Sequence, residues 1–597
     1  MRTLASLCSL PGMERPFRSG VMATARGFGL AVGNRHSNRG REGVNLETDD
    51  PEKAAVPGGN PRTEEAQGAG WAFREGGPWE FRLEDLEWNR GLEALREAQR
   101  AEVPQWVAAG RWPPILRFLT AATRVGGALL GWRLREGRHP GPASREGLSR
   151  RLRRAFERLG PAYIKLGQII SSGRGLFPEE LVDEFKRCRD RVPAVPFDQI
   201  RRVVELEFGQ PLDTVFAEFE RVPLAAASIA QVHVARLVTG EEVVVKVQRP
   251  QVAQWVRKDI AAMAWVAPRL VGRIPVAALA NPPVLVEVFA ETIAEELDFR
   301  LEAENMVDIA RVLAVAGQGA VLVPRPHPRW VTSRVLVMER LEGFSYDDVR
   351  GMKEAGIDTE TVFHSMMIAF LEGAMIYGIF HGDFHGGNLF VMPDGRVALL
   401  DYGMTGRLDD QQRSAFLRIM MAGAVNDLRG QLTAFRDLGA LDPGVDLDAL
   451  MTLLGADQPI RDPTKMTGEE IALQIQTILK GLLGEGARLP KPLMLYAKNM
   501  LFFDGAVAEL APDLDMFAEF VRIYGHFAEH HGAAIASQIG FDPSRTHVDL
   551  DGLKASMGLG SDVEALTHRE LVKRRKIVQE KLEGRESESP SDSSRGD

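Results

Sequence analysis

The chain has 597 residues, is 45% hydrophobic, and carries a net charge of −9 with a pI near 5.9. That length leaves room for several domains, the apolar share is that of an ordinary globular protein, and the acidic balance removes any electrostatic case for nucleic-acid binding. Its two cysteines, Cys8 and Cys188, lie too far apart for a disulfide framework or a zinc site, which favours a reducing, cytoplasmic setting, and no run of about 20 apolar residues could span a membrane.

Residues 1–80 are rich in Gly, Arg, Pro and Asn, and Met1–Arg41 contains one acidic residue, Glu14. An organelle transit peptide has this composition. So does a disordered leader, or a start upstream of Met13 or Met22. Residues 42–77 are also poor in large apolar side chains, so a disordered leader over 1–80 is the expectation. From Trp79 to about Ala143 a helical period appears, through Leu83, Leu86, Trp88, Leu92 and Leu95, then Trp106, Trp112, Leu116 and Leu119. His139–Pro142 breaks it, and a new helix carries Arg150, Arg151, Arg153 and Arg154 on what reads as a solvated face. Further on, Lys165 and Gln168 stand three apart on a predicted helix, among Tyr163, Ile164 and Leu166. Either they find partners in the interior or Lys165 snorkels at the edge of an amphipathic helix.

A small-residue segment, Ala225, Ala226, Ala227 and Ser228, precedes an alternating strand from Gln231 to Leu237. A turn at Thr239–Glu241 leads to the strand Val243–Val247, where Lys246 is flanked by valines. Val284 to about Val315 reads as one long helix, on which Asp298 and Glu302 share a face and Glu296 points elsewhere. The strand Arg334–Met338, followed by Glu339, suits a hinge whose backbone, at Met338 and Glu339, could meet an adenine ring.

The most informative stretch is His381-Gly382-Asp383-Phe384-His385-Gly386-Gly387-Asn388, a short strand, a turn at Pro393–Gly395, a second strand, then Asp401-Tyr402-Gly403. H-x-D, four residues, N, a hairpin and D-x-G is the order of a protein-kinase catalytic loop and its magnesium-binding segment. Phosphoryl transfer is largely positioning and charge neutralisation, so one carboxylate must face the acceptor and others must hold Mg²⁺ on the phosphates. On that template Asp383 faces the acceptor, Asn388 and Asp401 are metal ligands, and Lys246 holds the α- and β-phosphates of ATP. Beyond about residue 551 the chain turns polar. Val563–Leu582 is a candidate helix with the basic run Lys573–Lys576, either a solvated tail or a contact for an anionic membrane.

These motifs together resemble the UbiB/AarF family of atypical kinases. The K-x-G-Q segment at Lys165–Gln168 after Leu159-Gly160-Pro161, Asp190-Arg191-Val192-Pro193, the alanine-rich segment 223–233, the lysine strand 243–250, and Glu295-Glu296-Leu297-Asp298-Phe299 follow in the family's order. Pro490–Leu493 and Asn499–Gly505 are similar to its closing helices.

The resemblance covers roughly 85–530. It implies a bilobal, α+β, protein-kinase-like fold with an N-terminal helical extension. Its expected divisions are 81–220 for the extension, 221–338 for an N-lobe with inserted helices, 339–545 for a C-lobe and 546–597 for a polar, largely disordered tail.

It further implies binding of Mg-ATP, ATPase activity in preference to protein phosphorylation, and a link to isoprenoid quinones or other prenyl lipids. Glu302 would pair with Lys246. Glu296 and Asp298 would form an acidic motif near the metal, and the Lys165/Gln168 helix would cover the nucleotide pocket and block a peptide substrate. The rival expectations are a small-molecule or protein phosphotransferase and a non-catalytic nucleotide-sensing scaffold.

Three departures from the family pattern stand out. Phe384 and Gly387 replace prolines, Gly173-Arg174-Gly175 replaces R-P-D, and the membrane-spanning C-terminal helices of many relatives are missing. Any membrane contact would therefore be peripheral.

Overall fold

The computed structural model describes residues 71–582 apart from 109–113, 137–141, 172–178, 188–192, 271–281, 426, 455–464, 468–469, 471–489, 542–545 and 558. Most of the expected leader, both cysteines, Asp190–Val192, Gly173–Gly175 and the chain from Glu583 onward lie outside the described residues.

The N-lobe sheet contains β1 (Phe216–Phe219), β2 (Ala225–Ala226), β3 (Ala230–Leu237), β4 (Glu242–Gln248), β6 (Pro326–Val331) and β7 (Val335–Glu339). Its order is β1-β3-β4-β7-β6, with β2 added to β3, and every pairing is antiparallel. Alternation fixes the central strand. Val243, Val245 and Val247 are completely buried, in one cluster with Ile200, Val203 and Val204 of the helix Phe197–Phe208. Val244 and Lys246 therefore take the opposite face, which lines a cleft. A slip of one residue would exchange the two sets and bury the lysine among valines.

The N-terminal extension is helical: α1 (Leu92–Val107), α2 (Ile115–Arg135), α3 (Pro142–Leu159), α4 (Pro161–Ser171) and α5 (Glu179–Lys186). It is followed by α6 (Phe197–Phe208) and α7 (Leu212–Val215), which lead into the sheet. Two helices inserted in the N-lobe, α8 (Val252–Leu270) and α9 (Pro282–Glu296), share an apolar cluster with the extension that includes Val103, Leu159, Tyr163, Ile260, Phe289 and Ile293. Arg117 adds a polar anchor, with two hydrogen bonds to the buried Asp259 of α8, 2.7 and 2.6 Å.

The expected single helix over Val284–Val315 is two helices, α9 and α10 (Phe299–Val315). Asp298 is the N-cap of α10 and accepts the Arg300 N–H at 3.1 Å. Apolar periodicity runs through the break, so the pattern alone hides it. The readable signals were the Asp itself and Glu302 in the following turn, an acid beside a helix N-terminus.

Residues 71–79, assigned to the leader on composition, pack on the core. Ala72 exchanges backbone hydrogen bonds with Ala310 and Val323, both 3.0 Å, and Arg74 reaches Glu339 at 2.8 Å. Trp71, Phe73 and Phe81 form a ring cluster. Four aromatics in eleven residues, Trp71, Phe73, Trp79 and Phe81, outweigh the Gly-rich composition around them.

The C-lobe holds a sheet β5 (Val321–Leu322), β11 (Val397–Leu399), β10 (Leu389–Val391), β8 (Phe344–Ser345) in that order, and the pair β9 (Ile379–His381) and β12 (Thr405–Arg407). Its helices are α11 (Val349–Glu354), α12 (Thr359–Met375), α13 (Asp410–Ala424), α14 (Leu428–Asp437), α15 (Leu447–Leu453), α16 (Lys491–Leu510) and α17 (Met516–Ile539). The apolar run leading into the catalytic-loop motif is α12, almost wholly buried. Glu372 on it accepts from His526 and His531 of α17 at 2.7 and 2.8 Å and from Gln318 at 2.6 Å, so both oxygens of this buried carboxylate are satisfied. The polar region beyond residue 545 contains α18 (Leu550–Ser556) and α19 (His568–Leu582), the second within the candidate helix Val563–Leu582. No helix among the described residues is long and apolar enough to cross a membrane.

Candidate active site

One cleft between the lobes gathers nearly all of the residues singled out in the sequence. Ala225–Ser228, Lys246, Met338 and Glu339 line it from the N-lobe, Asp383, Asn388 and Asp401 from the C-lobe, and Lys165, Gln168, Glu296 and Glu302 from helices α4, α9 and α10. Lys246 Nζ donates to Glu302 Oε1 at 2.6 Å, lies 3.3 Å from Asp401 Oδ1, and sits over the Phe299 ring at 5.4 Å. Burial works against its charge, but Asp401 and Glu302 outweigh that and raise its pKa. Burial also pushes the Glu302 carboxyl up to about 7, against the pull of Lys246.

The helix break sets the remaining acids apart. Because α9 ends at Glu296, that carboxylate turns into the cleft and meets Lys165 Nζ at 2.7 Å. Burial opposes the Lys165 charge, while Glu296 and then Asp383 hold its pKa up. Lys165 is thus a paired interior residue and not a snorkelling one. Asp298 does not join it. Its carboxylate caps α10 and takes Arg300 through two oxygens, 3.0 and 2.7 Å, and it does not line the cleft. The expectation that Glu296 and Asp298 stand together as one acidic motif is corrected: Glu296 lines the cleft and pairs with Lys165, while Asp298 is spent as the N-cap and does not line it.

The catalytic-loop motif is held from behind. His381 lies between two backbone groups: its Nδ1 accepts the Asp383 N–H at 3.2 Å and its Nε2 donates to the Asp401 carbonyl. Asn388 donates to the Asp383 carbonyl at 3.1 Å, and its own carbonyl accepts the Leu400 N–H at 3.0 Å. These bonds tie the loop to the D-Y-G segment. Asn499 of α16, completely buried, closes it: its amide donates to the His381 carbonyl at 2.6 Å and its oxygen accepts the Phe384 N–H at 3.1 Å. Phe384 itself is buried among Phe370, Phe502 and Phe503.

Lys498, the residue before it, pairs with Asp383 Oδ1. Enclosure disfavours the Asp383 charge, but Lys498, His385 and Lys165 together hold its carboxyl far below the usual range. Asp401 is likewise held low, enclosure being outweighed by Lys246 and the Gly403 N–H. Lys498 and Asn499 escaped the sequence reading as site residues. The only signal was a Lys-Asn pair on a helix otherwise read as closing structure.

The alanine segment curls over the cleft, with the Ala227 N–H on the Ala230 carbonyl at 2.9 Å and Arg249 Nε on the Ala227 carbonyl at 2.8 Å. At the hinge the Glu339 N–H is already bonded to the Arg325 carbonyl, 2.9 Å, and its carboxylate to Arg74. The far end of the cleft is lined by α16 and α19, including Arg574, Arg575 and Gln579, with Arg575 bonded to Asp504 at 2.6 Å. The basic run 573–576 is therefore part of a packed helix.

The donor set suits a hard, oxygen-seeking cation beside phosphate. Asp401 keeps 47% of its side chain exposed, toward the cleft, with its carboxyl held ionised, and Asn388 and Asp383 stand on the same rim. Each lysine of the cleft stands against a carboxylate: Lys246 against Glu302 and Asp401, Lys165 against Glu296, and Lys498 against Asp383.

The ABC1 atypical kinase-like domain matches residues 187–433. An uncharacterized protein of Mycobacterium tuberculosis (strain CDC 1551 / Oshkosh) is 33% identical over 63% of this chain and 77% of its own length. An uncharacterized aarF domain-containing protein kinase of Arabidopsis thaliana, chloroplastic, is 30% identical over 62% and 73%. A probable protein kinase UbiB of Marinobacter nauticus is 31% identical over 62% and 68%.

Proposed function

This chain belongs to the ABC1 family of atypical kinase-like proteins that includes UbiB and the aarF-domain kinases, and on that premise we propose that it binds and hydrolyses Mg-ATP in support of isoprenoid-quinone or other prenyl-lipid metabolism. The observation that carries the reading is the convergence of Lys246 on Glu302 and Asp401, at 2.6 and 3.3 Å, beside Asp383 and Asn388 in one cleft. Lys246, oriented by Glu302, holds the α- and β-phosphates. Asn388 and Asp401 hold Mg²⁺, which supplies charge neutralisation on the phosphates when bound. Asp383 orients the attacking hydroxyl or water through its carboxylate. Alanines in place of glycines restrict how closely the loop 225–228 approaches the phosphates, which fits slow turnover.

The acceptor side is crowded. Lys165 of the extension and Glu296 line the same cleft as Asp383, and Lys498 occupies one of its oxygens. This favours water or a small acceptor over a peptide, and makes hydrolysis the principal activity. The test is phosphate release from Mg-ATP by the wild type and by Lys246→Ala. A loss of about a hundredfold or more is expected, the size of removing one preorganised charge from a transition state. Equal rates would defeat the assignment, and nucleotide-dependent melting without any phosphate release would favour a nucleotide-sensing scaffold.

A further inference from the structure

Helix α2 presents to solvent a face that water does not favour. Leu116, Leu119, Leu130 and Leu134 are 81, 52, 60 and 63% exposed, and Ile115 is 62% exposed. At 100° per residue Leu116, Thr123, Leu130 and Leu134 form one line along the helix, with Leu119 beside it. The inner face is already committed: Arg117 to Asp259, Phe118 edge-on to Trp265, and the buried Trp132 to the Ser144 carbonyl at 2.9 Å. The stripe therefore needs a partner of its own.

Charge identifies the partner. The helix has four arginines and no acidic residue, and residues 115–158 hold eleven arginines against three acids, in a chain whose net charge is −9. Helical geometry puts Arg133 on one edge of the stripe and Arg124 and Arg135 on the other, all exposed. None of these three makes an ion pair among the described residues. Leucines along the centre with arginines on both flanks suit a surface that is apolar below and anionic above. A second copy meeting the same face would bring arginines against arginines.

We propose that α2 docks this protein on an anionic lipid bilayer, its leucines entering the acyl boundary and its flanking arginines meeting lipid phosphates. This is independent of what the cleft binds. The test is co-sedimentation of the full chain with phosphatidylcholine vesicles with and without phosphatidylserine. Wild type is expected to pellet with the anionic vesicles. Leu116→Glu combined with Leu130→Glu should weaken binding at least about tenfold, since each leucine loses its apolar burial. Arg124→Gln, Arg133→Gln and Arg135→Gln together should abolish the preference for phosphatidylserine. Leu206→Glu, on an exposed leucine of α6, should bind as wild type. All the substituted side chains are exposed, so melting temperatures should stay unchanged and certify folding. The proposal is overturned if wild type ignores both vesicles, if Leu206→Glu weakens binding as much as the α2 pair, or if the α2 pair instead dissociates an oligomer on gel filtration.

Discussion

Two lysine–glutamate pairs stand in one cleft, and they do different work. Lys246–Glu302 joins a strand to a helix inside the N-lobe, while Lys165–Glu296 joins the added extension to that lobe, at 2.6 and 2.7 Å. Both are buried. Lys246 also lies 3.3 Å from Asp401, whereas Lys165 feels the charges of Asp383 and Asp401 without a direct contact among the described residues. Two ion pairs alike in length and burial thus differ in reach: one is shared with a second carboxylate, and the other ties the extension to the lobe.

The largest contrast is expected in turnover. Lys246→Ala should lower phosphate release by the factor given above, while Lys165→Ala should leave release within a few-fold, because Lys165 holds Glu296 and not phosphate. In stability the second pair should be conspicuous. Lys165→Ala leaves Glu296 buried and uncompensated, a cost of about 3–5 kcal/mol, and adding Glu296→Ala should recover much of it. Urea denaturation of the two single variants and the double variant measures this. Recovery absent from the double variant would mean that packing of α4, not the ion pair, is what was lost.

Acidity should act on both pairs, since burial raises the Glu296 carboxyl as well as that of Glu302. Burial raises Glu302 to about 7, above its ordinary value of 4.5. As pH falls through 7 the carboxylate gains a proton and loosens its hold on Lys246, so phosphate release should decline there. Stability moves the other way: the folded state binds this proton more tightly, so the contribution is full below about 4.5 and is lost as pH rises toward 7. In Glu302→Gln both dependences should vanish from that window, as pH–rate profiles and pH-dependent melting would report.

Smaller effects come from the supports. Asn499→Ala frees the Phe384 N–H and the His381 carbonyl, at about 1–3 kcal/mol for each buried group left unpaired, and phosphate release should fall less than in Lys246→Ala. Arg575→Ala breaks an exposed pair with Asp504 and should cost at most about 1 kcal/mol by urea melting.

Much of the site was legible because kinase-like chemistry demands fixed residue types in a fixed order: Lys246 in an alternating strand, Asp383 and Asn388 on a loop, Asp401 after a hairpin. Helices of the extension and the alternating strand before Lys246 were legible from periodicity, whereas their assembly into two lobes came from the family resemblance. What escaped depends on contacts between distant segments. Asn499 and Lys498 look like any polar pair on a helix until α16 is laid against residues 381–384. Asp298 kept the apolar rhythm of its neighbours while serving as a cap, which sent Glu296 into the cleft and itself out of it. Residues 71–79 were judged by composition, yet their aromatics pack on the core; the helix near the C-terminus was legible as a helix, but its place along the cleft was not.

The central claim is that the Asp401 carboxylate and Lys246 meet one metal-bound triphosphate. Calorimetric titration of Mg-ATP into the wild type and into Asp401→Asn tests it most directly. The account predicts magnesium-dependent binding by the wild type that Asp401→Asn loses. Binding of equal strength in both proteins, or binding indifferent to magnesium, would contradict it.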